Sequence, residues 1–160
     1  MPGRPLSGRR TLLVCLVLAI ASALSACGTA KPPLLKITVS ADEASNPDLK
    51  GRASPVVVRV FELKSLAGFN SADYFSLYDK ESEILGADLI GKEELHLKPG
   101  ESINLSHPLK PDTKFVAGLA AFRDLEKSRW RGAAAVPVKK KQIDMAIEIH
   151  GKTLSATAAP

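Results

Sequence analysis

Cysteine is almost absent from this chain of 160 residues. It occurs twice, as Cys15 and Cys27, and both lie near the N-terminus. The chain beyond Cys27 therefore has no disulfide framework and no thiolate for metal binding. Histidine is nearly as scarce, with only His96, His107 and His150. No Gly-x-Ser-x-Gly, no His-Glu-x-x-His and no phosphate-binding glycine loop occurs anywhere, so the common hydrolase, zinc-protease and nucleotide signatures are missing. There is no internal repeat, which excludes a solenoid, and no low-complexity block. The apolar run near the start is shorter than the roughly 20 residues that a spanning helix needs.

What that start does contain is specific. Arg4, Arg9 and Arg10 precede an uncharged, mostly apolar run from Thr11 to about Ala23, and the run ends in Leu24-Ser25-Ala26-Cys27. A basic segment, an apolar segment and a small-residue cleavage site make an export signal. The cysteine at its end makes it a lipobox, in which Cys27 receives a diacylglycerol, the leader is cut before it and the new amine is acylated. Residues 1–26 are then a cleaved signal peptide, and residues 27–34 are a lipidated cysteine and tether. Two or more acyl chains hold a protein stably on a bilayer without spanning it. Gly28 stands where an Asp would favour inner-membrane retention, so the expected location is the outer membrane, with the domain in the periplasm.

Removing the leader changes the electrostatics. Of 22 basic residues three lie in it, and of 17 acidic residues none does, so the mature chain carries a formal +2. The high sequence pI belongs largely to the leader, and no nucleic-acid partner is implied. The remaining 134 residues suffice for one domain with its own core.

Pro32-Pro33 in the tether favours an extended chain. Period-two alternation then predicts strands over Lys36–Ala41, Pro55–Leu63, Leu89–Lys98, Ser102–Leu109, Lys114–Phe122, Trp130–Val136 and Gln142–His150, with a fraying last strand from Gly151. Val56, Val57, Val58 and Val60 read as a central strand buried on both sides. Pro99-Gly100 predicts a hairpin between the third and fourth strands. One short helix is expected at Ser71–Tyr78, capped by Asn70, with Tyr74, Leu77 and Tyr78 on one face. The segment Asp79–Gly86 reads as a polar turn or a second helical turn. The longest polar loop is Ala41–Ser54. The sandwich domain is placed at residues 35–155, with a tail at 156–160.

Several segments together resemble a known family. They are Asn46-Pro47-Asp48-Leu49-Lys50-Gly51-Arg52 running into Pro55-Val56-Val57-Val58-Arg59-Val60-Phe61-Glu62-Leu63, then Ala72-Asp73-Tyr74-Phe75, Leu85-Gly86-Ala87-Asp88-Leu89, Glu93-Glu94-Leu95, Ala121-Phe122-Arg123-Asp124 and Trp130-Arg131. In that order, and with the lipobox, they are similar to the TssJ family, the outer-membrane lipoproteins of the type VI secretion system. The resemblance implies a transthyretin-like β-sandwich of two four-stranded sheets with one short added helix. It also implies docking onto the periplasmic C-terminal region of TssM, within a membrane complex that includes TssL. In the family, the loop between the first two strands carries much of that contact. Here its candidate binding residues are Asp42, Glu43, Asn46, Asp48, Leu49 and Arg52, with the alternative that the loop is merely solvated.

Two other readings stand beside this one. A periplasmic lipoprotein binding a small ligand or cell-wall component in a sandwich cleft is the alternative. The transthyretin-like fold also hosts a hydrolase of 5-hydroxyisourate that ends in Tyr-Arg-Gly-Ser, whereas this chain ends Ala156-Thr157-Ala158-Ala159-Pro160. The histidines fall on separate strands, so no catalytic residue, cofactor or metal ligand is assigned. Lys139-Lys140-Lys141 reads as a solvated turn or an anionic-lipid contact. Trp130 reads as packing with its indole N–H paired, and Arg59 and Arg123 as partners for acids such as Glu62 or Asp124.

Overall fold

The computed structural model describes residues 31–137 and 140–159, so Cys27, the rest of the leader and Lys139 lie outside the described residues. Eight strands form two four-stranded sheets: β1 (Leu34–Ala41), β2 (Val56–Leu63), β3 (Leu89–Leu97), β4 (Ser102–Pro108), β5 (Phe115–Ala121), β6 (Arg131–Ala135), β7 (Gln142–His150) and β8 (Thr153–Ala158). The first sheet runs β4-β1-β7-β8 and the second β3-β2-β5-β6. All neighbours are antiparallel except β1 and β7, which run parallel from Leu34↔Gln142 to Ala41↔Ile149.

The alternation seen in the sequence decides what the first sheet buries. Leu35, Ile37, Val39 and Ala41 of β1, with Ile143, Met145, Ile147 and Ile149 of β7, face the core. Lys36, Thr38, Gln142, Asp144 and His150 face solvent. Opposite them stand Val56, Val58, Val60, Leu97 and Val116 of the second sheet. Gly118 and Gly132 pair across β5 and β6, and a Cβ on either would lie within 3.2 Å of the Leu154 side chain. These two glycines leave the room that lets Leu154 be fully buried between the sheets.

The second sheet is buried on its outer side as well. Phe61, Leu63, Ala117 and Leu119 form a separate apolar cluster with Phe69, Leu77 and Leu85 from the segment between β2 and β3. Phe61 and Phe69 meet edge to face at 6.0 Å. The expected two-sided burial of β2 is thus met, and β2 sits between β3 and β5.

That covering segment differs from the single helix expected. It holds three short helices, α1 (Ala67–Ser71), α2 (Tyr74–Asp79) and α3 (Glu81–Leu85), followed by a 3-10 turn at Gly86–Asp88. Asn70 is inside α1, not a cap. Asp73 is the cap of α2, and its carboxylate accepts from the Ser76 N–H at 3.0 Å and from Ser76 Oγ at 2.6 Å. Asp73-x-x-Ser76 thus outcompetes Asn70, because its extended backbone breaks the chain between α1 and α2. The apolar face is as expected: Leu77 is buried, and Tyr74 stacks on Tyr78 at 5.5 Å.

The Pro99-Gly100 hairpin is also corrected. β3 pairs with β2 and β4 with β1, so this turn crosses from one sheet to the other. Leu95 and Leu97 on one strand and Ile103 and Leu105 on the other all serve one core, from its two opposite sides. Facing sheets lie about 10 Å apart, a gap that a four-residue connection spans. The Glu101 carboxylate accepts the Lys98 N–H at 2.8 Å and holds the crossing. At the C-terminus β8 continues to Ala158, and the Ala159 N–H donates to Asp144 O at 2.9 Å.

The two ends of the sandwich differ. One gathers the β1–β2 loop, the 98–101 crossing, the β5–β6 loop and the turn at Gly151-Lys152. The other receives the chain at Pro33 and carries the β4–β5 turn and residues 136–137 and 140–141. An eight-residue strand, about 26 Å long, separates them.

Candidate docking site

The β1–β2 loop is ordered by three of its own polar side chains. Asp42 closes its first turn. The Asp42 backbone N–H donates to Ile149 O at 2.9 Å, and its carboxylate accepts the Gly151 N–H at 3.2 Å. His150 lies 3.6 Å from the same carboxylate.

Asn46 is the second fastening, and it corrects an expectation. It is 3% exposed, in a left-handed conformation with φ 49°. Its amide donates to Pro55 O at 2.7 Å and accepts the Arg123 N–H at 2.9 Å, while its own N–H donates to Gly151 O at 2.8 Å. One residue, through its side chain and its backbone N–H, therefore ties three loops together. It is buried and satisfied, so it positions the surface and offers nothing to a partner.

Asp48 is the third. Its carboxylate accepts the N–H groups of Lys50 at 2.8 Å and Arg52 at 3.0 Å, and the Arg52 guanidinium at 2.7 Å. The backbone N–H of Arg52, then its side chain, hold the Asp48 carboxyl below the usual range. Gly51, at φ 78°, supplies the tight return that this ring of bonds needs. The ring presents Leu49 entirely to solvent, at 103% relative exposure. Glu43 is exposed beside Gly100.

Of the six loop residues expected to bind, Leu49, Arg52 and Glu43 are at the surface, Asp48 and Asp42 are half-buried fasteners, and Asn46 is internal. Arg123, Lys127 and Lys152, absent from that expectation, join Leu49 and Arg52 around an open cleft of about 630 Å³. They come from the β5–β6 loop and the β7–β8 turn. No sequence periodicity links those segments to residue 49; only the sheet order does. Lys152 pairs with Asp124 at 2.6 Å, which holds that carboxyl below its usual range. The arrangement is a fixed apolar knob rimmed by charges of both signs, suited to a protein surface.

The remaining expectations about side chains resolve simply. Arg59 pairs with Glu94 at 2.7 Å and Glu81 at 3.6 Å, and not with Glu62. Residues three apart on a strand point to opposite faces, so Arg59 and Glu62 cannot meet. Glu62 is buried beside Lys110, at 2.8 Å, and His107, at 3.6 Å. Asp124 takes Lys152, leaving Arg123 exposed. Trp130 is half-buried, edge-on to Tyr74 at 5.3 Å with the Arg131 guanidinium 4.6 Å from its ring. His96 and His150 face solvent on β3 and β7, in different sheets, and His107 is on β4. The described residues hold no group of three His, Cys, Asp or Glu arranged for a metal, and no helix long and apolar enough to cross a membrane.

Residues 33–152 match the family model T6SS-SciN, described as type VI secretion lipoprotein, VasD, EvfM, TssJ. The chain belongs to the TssJ family. Among solved structures similar to it is the type VI lipoprotein TssJ1 of Pseudomonas aeruginosa, 32% identical over 81% of this chain and 98% of that one, with a TM-score of 0.74. A chain of a type VI membrane complex is 33% identical over 81% of this chain and 100% of that one, with a TM-score of 0.68. A chain from a structure of the TssM C-terminal domain from EAEC is 34% identical over 77% of this chain and 99% of that one, with a TM-score of 0.63. No curated protein sequence matches significantly. The sandwich expected from the TssJ resemblance is the fold found, with the three-helix segment in place of one helix.

Proposed function

We propose that this TssJ-family protein is an adaptor. Acylated Cys27 holds it on the periplasmic face of the outer membrane, and the end of the sandwich farthest from the tether docks the periplasmic C-terminal region of TssM. TssL completes the same membrane complex from the inner membrane. The observation that carries the reading is the placement of the fully exposed Leu49 on a fastened loop after the far end of β1, a strand about 26 Å long that begins where the tether joins the fold. A tethered domain is oriented by its root, so the opposite end is the one presented to a partner. Similarity to chains from a type VI membrane complex and from a TssM C-terminal domain structure supports the choice of partner.

The test is titration calorimetry against the TssM periplasmic region. Leu49→Asp should weaken binding by about 2 kcal/mol or more, since an exposed apolar residue at an interface centre behaves as a hot spot. Its melting temperature should stay unchanged. Unaltered affinity would move the interface elsewhere. Separately, Cys27→Ser should release the protein from outer-membrane fractions without weakening TssM binding; a variant still held there would overturn the anchor.

A further inference from the structure

We propose that the tether end of the sandwich is itself a docking surface for anionic phospholipid headgroups, those of the bilayer that holds Cys27. The inference rests on the lipid-anchor reading and adds a second contact to it. Its basis is where the chain joins the fold. The Leu34 N–H donates to Lys141 O at 3.0 Å, and the Leu109 N–H donates to Pro33 O at 2.8 Å. The root of the tether is thus clamped between two lysine-bearing segments, residues 109–114 and 140–141.

Lys114, Lys140 and Lys141 are all exposed here. Lys64 joins them, because the Lys114 N–H donates to the carbonyl of Leu63 at 2.9 Å. Among the described residues none of these four forms an ion pair. The acidic side chains near them are the exposed Asp112 and Asp144 and the half-buried Asp88; Glu62 is buried and already taken by Lys110. At the far end Asp48 pairs with Arg52 and Asp124 with Lys152. The root of the fold therefore carries unpaired lysines on its surface.

A mainly apolar cleft of about 400 Å³ lies at the same root, lined by Pro33, Leu109, Val136, Pro137 and Ile143 with the stem of Lys114. Charged ammonium heads above apolar walls match the boundary between headgroups and acyl chains. Distance makes the contact compulsory to consider. Five residues lie between Cys27 and Pro33, so the root lies within about 20 Å of the lipid even when the tether is fully extended. Each lysine near an anionic surface favours adsorption roughly fivefold, and the tether keeps the effective concentration high. Adsorption there would point the Leu49 end straight away from the membrane.

The experiment uses the full lipidated protein in vesicles of phosphatidylcholine alone, or of phosphatidylcholine with phosphatidylglycerol. Amide hydrogen exchange is followed across residues 109–114, 140–142 and the 42–55 loop. In the anionic vesicles exchange should slow about fivefold or more over 109–114 and 140–142, with no change in the loop. Concentrated salt, or the combined variant Lys114→Glu, Lys140→Glu and Lys141→Glu, should remove the effect. Equal exchange in both vesicle types, or equal slowing in the loop, would overturn the proposal. A protein that floats with both vesicle types yet exchanges alike refutes this surface and leaves the anchor standing. One that fails to float with neutral vesicles refutes the anchor itself.

Discussion

The two sheets are built from similar numbers of residues but meet water differently. The sheet β4-β1-β7-β8 buries one face and wets the other. The sheet β3-β2-β5-β6 has its central strands buried on both faces, because α1, α2 and α3 cover the outer one. Alternating strands such as β7 need only one partner layer. A strand such as β2, with Phe61 and Leu63 on its outward face, needs a second, and the chain supplies it between β2 and β3. The number of layers was set by side chains and not by backbone pairing.

The comparison breaks most severely at Ile147, which is fully buried on the inner face of β7. Ile147→Asp places an unpaired charge between the sheets, and an effect above about 4 kcal/mol is expected, enough to unfold a domain of ordinary stability. Urea titration followed by circular dichroism would show it; a cooperative transition near the wild-type midpoint would refute the register of β7.

Leu77 probes the added layer. It is fully buried in α2, against the second sheet. Leu77→Ala should cost about 2–5 kcal/mol, the usual price of a core Leu truncation. A loss below about 1 kcal/mol would mean that the helices merely rest on the sheet.

The ion pairs on that same outer face sharpen the contrast in pH. Hydrogen bonding from Lys92 holds the Glu81 carboxyl low, and hydrogen bonding from Arg59 does so for Glu94. Arg59 also lies 4.0 Å from the centre of the Tyr78 ring. A carboxyl whose pKa is depressed on folding stabilises above its unfolded value and loses that contribution as pH falls through the folded one. Wild-type stability should therefore decline as pH drops below the ordinary carboxylate range. In Arg59→Met the decline should be shallower, which parallel urea midpoints would measure. Parallel slopes would show that Arg59 acts through packing alone.

The smallest effect is expected on the wet face of the first sheet. Glu148→Ala should change stability by no more than about 0.5 kcal/mol by the same urea measurement. A larger loss would show that this face is covered after all.

How much of this was legible in the sequence follows from the same contrast. β1 and β7 could be read because one wet face leaves a clean period of two. The double burial of β2 was legible in its run of valines. The crossing at Pro99-Gly100 was not, since a turn signal marks a reversal without saying which sheet receives the next strand. The helix boundaries failed at Asn70, where two capping residues lay three positions apart and only the backbone chose between them. In the loop, exposure of Leu49 and burial of Asn46 could not be told apart, because both sit in one polar stretch. Arg123 and Lys152 were invisible as neighbours of that loop, since they meet it only after the strands have been ordered.

The strand that receives the tether has one last consequence. β1 is not at an edge: β4 pairs along one side and β7 along the other, over nearly its whole length. A pull on the chain ahead of Leu34 is directed along the axis of β1, and a counter-pull at Lys152, beside Leu49, enters at the opposite end of the neighbouring strand β7. The ladder bonds on both sides then lie across the load and share it, so that they must yield together. An edge strand peeled from one end would lose them one at a time, at far lower force. By leading the chain into a central strand, the fold makes its hydrogen-bond ladder a shear joint between the two ends of the sandwich.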